Sequence, residues 1–187
     1  MRLTEKEVKI IKESFAKFFQ KEDSLWLFGS RVDDTKKGGD IDRHIVVCDL
    51  HSRRLKFSIL KTKNYAPLTA KKFENLSDEE IAFFDMLAIR FTKLQDVIGS
   101  KIFPFILNFL NEDAESFLDK LNRLEKLNFI SSKEWWITFR NVRNDVTHDY
   151  PDDYDNLSRH FNKMFELSSE LISYWENLKQ KLVEMKI

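Results

Sequence analysis

The chain is nearly devoid of the residues that break helices. In 187 residues there are four glycines and three prolines, and three of the four glycines fall in one short stretch, at Gly29, Gly38 and Gly39. An all-β chain needs turn residues every eight to twelve positions, and this one does not carry them. Long runs that mix charged and apolar residues, seventeen phenylalanines among them, favour helix instead. With 42% hydrophobic and 33% charged residues, the chain has enough apolar material for a buried core and is not of the disordered class.

Other classes are excluded quickly. The N-terminal run MRLTEKEVKIIKES is charged throughout and does not read as a secretory signal. No apolar run approaches the ~20 residues of a membrane span, so no membrane partner is expected. The single Cys48 rules out an internal disulfide and a cysteine-rich metal cage. A cytoplasmic protein is the simple expectation.

The net charge is zero but unevenly spread. Residues 43–72 carry eight Lys/Arg against Asp49 alone, whereas residues 73–187 carry 14 Lys/Arg against 21 Asp/Glu. Such a basic segment either attracts phosphate backbones or is a solvated linker that offsets the acidic part.

Thr4 and Glu7 have the spacing of a capping box, and Val8, Ile11, Phe15, Phe18 and Phe19 follow at helical intervals. Residues 24–28 (SLWLF) read as a short buried strand, and the run Ile45, Val46, Val47, Cys48 as a second, with residues 55–60 a weak third. Helix, strand, loop, strand begins an α/β unit that is not completed. Residues 51–76 read as a basic connector broken by Pro67.

From Ser77 the pattern is helical. Ser77 and Glu80 form another capping-box pair, and Phe83, Phe84, Leu87, Phe91, Leu94 and Ile98 follow in register, with Gly99 placed to end the helix. A short helix is expected after Pro104, one over about 113–127, and one capped by Ser131 or Ser132 that carries Trp135, Trp136, Phe139 and Val142. Pro151 should stop that helix near Asp149 or Tyr150, and a last helix should run from about Asp155. These helices make a bundle.

The run RNDVTHDY, residues 143–150, concentrates the chemistry. Arg143 and His148 stand five positions apart, about 140° around an ideal helix, so they converge only where the helix frays or across a two-fold dimer. Arg143 is permanently charged and forks onto phosphate oxygens. His148 titrates near neutrality, and a last helical turn favours its protonated form. A proton carrier and a stabiliser of a phosphorane suffice for RNA cleavage by 2′-hydroxyl attack. The same two residues also suit a hydrogen-bonded helix end.

Arg-Asn, three residues, His, one residue, Tyr resembles the RNxxxHxY motif of the HEPN superfamily. The likeness extends over residues 73–187, through FTKLQDVIGSKIFP, FLDKLNRLEKL and HDYPDDY. It implies a homodimeric α-helical bundle that cuts RNA without a metal or other cofactor. Arg143 and His148 would be its catalytic pair, Asn144 the polar residue that orients the site, and Tyr150 a tyrosine that a separate nucleotidyltransferase antitoxin adenylylates. Trp135 and Trp136 suit either base stacking or a core and an interface.

A second motif lies upstream. Gly29, Ser30 and Arg31, followed by Asp40 and Asp42, resemble the signature of minimal nucleotidyltransferases (MNT). The resemblance implies that Gly-Ser holds the phosphates of ATP and that the two aspartates hold Mg²⁺. On a strand both carboxylates would project to one side. Arg43 and His44 interrupt the apolar run that the family has next, and residues 50–72 contain no Asp or Glu for its third carboxylate.

The expected architecture is thus mainly α: a partial α/β nucleotidyltransferase-like segment (1–50), a basic connector (51–76) and a HEPN-type helical bundle (77–187). The expected activity is a metal-independent endoribonuclease of a HEPN/MNT toxin–antitoxin pair. The alternatives are an ATP-dependent nucleotidyltransferase, or a catalytically degenerate module used for binding or regulation.

Overall fold

A computed structural model describes residues 9–10, 13, 39–148 and 153–185, with side chains for all of these except residues 39–40 and 146–148. Every regular element among the described residues is helical. None of these helices is long and apolar enough to cross a membrane.

The chain divides into two compact units, residues 1–43 with residue 187, and residues 44–186. Of the first unit, residues 9, 10 and 13 are helical, and Lys9 and Glu13 form an exposed ion pair at 3.9 Å. The capping box of Thr4 and Glu7, the strand expected at 24–28, and Gly29, Ser30 and Arg31 lie outside the described residues.

Helix α1 is Gly39–Thr62. A 3₁₀ turn, Lys63–Tyr65, and α2, Ala70–Glu74, lead to α3, Asp78–Val97. A π-helical turn, Ile98–Ile102, joins α3 directly to α4, Phe103–Phe109. Then come α5, Phe117–Lys126, α6, Lys133–His148, and α7, Tyr154–Glu184.

The strand expected at Ile45 to Cys48 is therefore helix, as is the weaker candidate at 55–60. Cys48, Ser52, Leu55, Ser58 and Thr62 are all buried, and their spacing of four, three, three and four is that of a helix face. Ser58 Oγ donates to the carbonyl of Leu55 (2.8 Å) and Thr62 Oγ1 to that of Ser58 (2.9 Å), so the buried hydroxyls are satisfied within the helix. Half of the expected connector is thus this helix.

The rest of the connector is pinned to α7. Asn162 accepts from the Leu68 amide (2.7 Å) and donates to its carbonyl (2.8 Å).

Ser77 and Glu80 do form a capping box at the start of α3, and Ser116 and Asp119 form another at the start of α5. Ser132 accepts from the Trp135 amide (3.0 Å) and caps α6. Helix ends use asparagine where other chains use glycine. Asn111 and Asn128 have φ of 56° and 57°. After each, the next amide reaches back to a carbonyl five residues earlier, Glu112 to Leu107 (2.9 Å) and Phe129 to Leu124 (2.8 Å). This is the Schellman closure with a left-handed asparagine.

The core of the second unit is the stripe Phe84, Leu87, Phe91 and Leu94 of α3 and the apolar face of α7 from Phe161 to Leu182, with Trp136, Phe139 and Val142 of α6. Phe103, Trp135, Trp136, Phe139 and Tyr174 form one aromatic cluster. Trp136 is fully buried, while Trp135 is half-buried and donates Nε1–H to Glu170 (2.6 Å). Tyr174 donates its hydroxyl to the Phe129 carbonyl (3.0 Å), and its burial pushes the phenol pKa far up, fixing it as a donor.

Candidate functional site

Trp136, Arg140 and Arg143 recur at intervals of four and three on α6, so they form one stripe along that helix. The stripe is one wall of a cleft of about 370 Å³. Gln95 and Asp96 of α3, with Gly99 and Ser100 of the π turn, make the opposite wall, and Phe117 and Lys120 of α5 close one side.

Arg143 is held from two directions. Its Nη2 donates to Asp96 Oδ1 at 2.5 Å, and its Nη1 donates to Asn144 Oδ1 at 2.8 Å. A guanidinium gripped on two nitrogens keeps its plane and position, which a single contact would not ensure. Asn144 is thus one of the two acceptors that hold the Arg143 guanidinium.

Lys120 and Arg140 add two more cations, and the Arg140 guanidinium stacks 4.3 Å over the Phe117 ring. With Asp96 as the lone acid, the lining carries a net charge of +2. A neutral donor joins them: the buried Trp136 Nε1 has no hydrogen-bond partner among the described residues. Buried polar groups are almost always paired, so an orphaned N–H in a basic cleft suits an anion.

Gly99 packs against this indole. A Cβ there would lie 3.4 Å from Trp136 Cζ2 and 3.7 Å from Nε1. Its expected role as a helix stop is corrected by the backbone, which runs on through the π turn into α4.

His148 is the last residue of α6. It lies five residues, about 7.5 Å of helix rise, beyond Arg143. Its side chain, and Asp149 and Tyr150 altogether, lie outside the described residues. The helix stop expected from Pro151 near Asp149 or Tyr150 falls outside the described residues, and α6 is described as far as His148.

Asp40 and Asp42 stand in the first turn of α1, not on a strand. Two residues apart on a helix is about 200°, so the shared side that a strand would give both carboxylates is lost. Asp42 is exposed, and the Asp40 side chain is outside the described ones. No group of three or more His, Cys, Asp or Glu among the described residues is arranged to hold a metal ion. The pair as placed does not fit the expected Mg²⁺ site.

Sequence reading missed Asp96, Lys120, Arg140 and the Trp136 N–H. The four-and-three spacing of Trp136, Arg140 and Arg143 was the one signal available, because Asp96 and Lys120 reach the cleft only through the packing of α3 and α5. Compared with known proteins, the chain matches no protein-family model, no curated protein and no solved structure.

Proposed function

We propose that the chain is a HEPN-type endoribonuclease that cleaves RNA by attack of the 2′-hydroxyl, without a metal, in the cytoplasm and as a homodimer. The observation that carries this reading is Arg143, fixed by Asp96 and Asn144 in the wall of a basic cleft. The residue five positions on, at the end of the same helix, is a histidine.

The roles follow from the chemistry. His148 takes the proton from the ribose 2′-hydroxyl. The 2′-oxygen forms a bond to phosphorus as the bond from phosphorus to the 5′-oxygen breaks. The imidazolium then returns its proton to the departing 5′-oxygen. The products are a 2′,3′-cyclic phosphate and a 5′-hydroxyl. Arg143 meets the charge that builds on the equatorial phosphate oxygens. In a two-fold dimer the ends of two α6 helices can face one cleft, which supplies a second imidazole. Tyr150, two residues on, would be the place where a nucleotidyltransferase partner switches the enzyme off.

The test is cleavage of single-stranded RNA in the presence of EDTA by wild type, His148→Ala and Arg143→Gln. General acid–base catalysis contributes about 10²- to 10⁴-fold, so His148→Ala should lose at least the lower figure, and cut ends should carry cyclic phosphate. Equal activity in wild type and His148→Ala, or none in either, overturns the reading.

A further inference from the structure

Away from the cleft, α1 and α3 bring four basic side chains together. His51 and Arg54 lie three residues apart on α1, and Arg90 and Lys93 three apart on α3. Arg90 Nη1 is 3.3 Å from His51 Nδ1. Arg90 Nε is buried and has no hydrogen-bond partner among the described residues. No ion pair with a carboxylate among the described residues serves Arg54, Arg90 or Lys93, although other cations of the bundle find one, as Lys56 does with Glu176 and Lys179 with Asp49.

The cluster is costly as it stands. Burial first, then the charges of Arg90, Arg54 and Lys93, hold the His51 pKa below that of a free imidazole. Burial first, then Arg54, lowers that of Arg90. Like charges placed near one another repel unless an anion lies among them. The fold holds them together with a buried donor unsatisfied, so the missing component is negative.

The position says which anion. Lys93 is one helical turn before Asp96, the residue that holds Arg143. Arg90 is six residues before Asp96, about 9 Å along the axis. The cluster and the cleft therefore border one helix at a separation too large for one phosphate and suited to successive phosphates of one strand.

We propose that His51, Arg54, Arg90 and Lys93 bind the phosphate backbone of the RNA strand that runs into the cleft. The assignment of RNA rests on the proposed function. The cluster itself is separate from the cleaving residues.

The experiment measures binding without cleavage. The probe is a fluorescein-labelled 2′-O-methyl oligouridylate of about 12 nucleotides, within the span of single-strand binding grooves and lacking the attacking hydroxyl. Anisotropy is read over a salt series for wild type, Arg54→Gln/Lys93→Gln, and Lys71→Gln/Lys72→Gln as an equal charge change on α2. Arg54, Lys93, Lys71 and Lys72 are all exposed, so the variants should fold, which thermal melts check. Each phosphate contact on a single strand contributes about 0.7 to the slope of log affinity against log salt. The cluster variant should lose about 1.4, a drop in affinity between about 50 and 200 mM salt that is roughly 7-fold smaller than in wild type. Bound probe should also raise the His51 pKa, followed by NMR of the imidazole.

No binding by wild type, an unchanged slope in the cluster variant, or an equal loss in the α2 control overturns the inference. Cleavage by wild type with an unchanged slope overturns this inference and leaves the ribonuclease reading standing. A reduced slope without cleavage does the reverse.

Discussion

Trp136→Phe is the substitution on which two explanations of the cleft differ most. Trp136 is fully buried, and Trp136→Ala should cost about 3–5 kcal/mol. For a domain of this size each kcal/mol shifts Tm by about 2–4 °C, so the alanine variant should melt roughly 6–20 °C lower. Phenylalanine keeps one ring. The lost contacts and residual void should cost about 1–2 kcal/mol on the scale of large-to-small core changes. Against this, Nε1 is a buried donor without a partner, and removing it relieves a penalty of about 1–3 kcal/mol. The two effects cancel to within roughly 1–2 kcal/mol. Were Nε1 hydrogen-bonded, the same change would lose the bond and strand its acceptor, adding about 1–3 kcal/mol instead of subtracting it. Urea unfolding in a buffer free of phosphate, with m compared between variants, separates the cases. A cost above about 3 kcal/mol at unchanged m would refute the unpaired donor, and with it the neutral part of the anion site.

Three further outcomes are expected. Asp96→Ala should lower stability by no more than about 1 kcal/mol, because both partners of the Arg143 pair are about a third exposed; it should slow RNA cleavage at least 10-fold by freeing the guanidinium, and an unchanged rate would remove Asp96 from the site. Gly99→Ala should raise Tm, since helical alanine is favoured over glycine by about 1 kcal/mol and the new Cβ meets Trp136 at an ordinary 3.4 Å; a fall in Tm would mean that the π turn cannot shift. Acid should unfold the protein in part through its helix caps. The Tyr65 hydroxyl first, then Ser77, hold the Glu80 carboxyl down at about 2, and the Ser116 hydroxyl holds Asp119 below its usual value. A carboxyl whose folded pKa is depressed stabilises above its unfolded value and loses that as pH falls through the folded one. Glu80→Gln should therefore flatten the fall in urea midpoint between about pH 4.5 and 2, and parallel curves for the two proteins would exclude this cause.

The helices from Ser77 onward were legible because their start signals are local. Ser77 with Glu80 and the cap at Ser132 lie within four residues of what they satisfy. The failure at Ile45 to Cys48 has the opposite cause. Four apolar residues, three of them β-branched, suit a strand or a buried helical turn equally, and the deciding spacing runs from Cys48 to Thr62. Gly99 was misread because glycine commonly follows a helix. Here it lies inside a continuous helical run and packs near Trp136, a neighbour 37 residues away that no local window contains. The cleft was half legible for the same reason. Arg143 and Asn144 came from the motif, whereas Asp96 and Lys120 arrive from other helices.

The basic segment 43–72 admitted two explanations, a phosphate attractor or a neutralising linker, and the fold divides its residues between them. Lys56 pairs with Glu176 of α7. Lys61 lies 5.5 Å and 5.2 Å from the rings of Phe57 and Phe83. The one acid of the segment, Asp49, accepts from Trp175 Nε1 and Lys179 Nζ, each at 2.9 Å. These contacts bind α1 to the bundle, and Lys56 and Asp49 have their charges paired within it. Arg54 is different, since its charge is among those that hold down the pKa of His51 and of Arg90. An arginine needed only for solubility would be least costly beside the acidic helices that supply Glu176. Its place in a cluster that disfavours charge is the reason to look for a phosphate there.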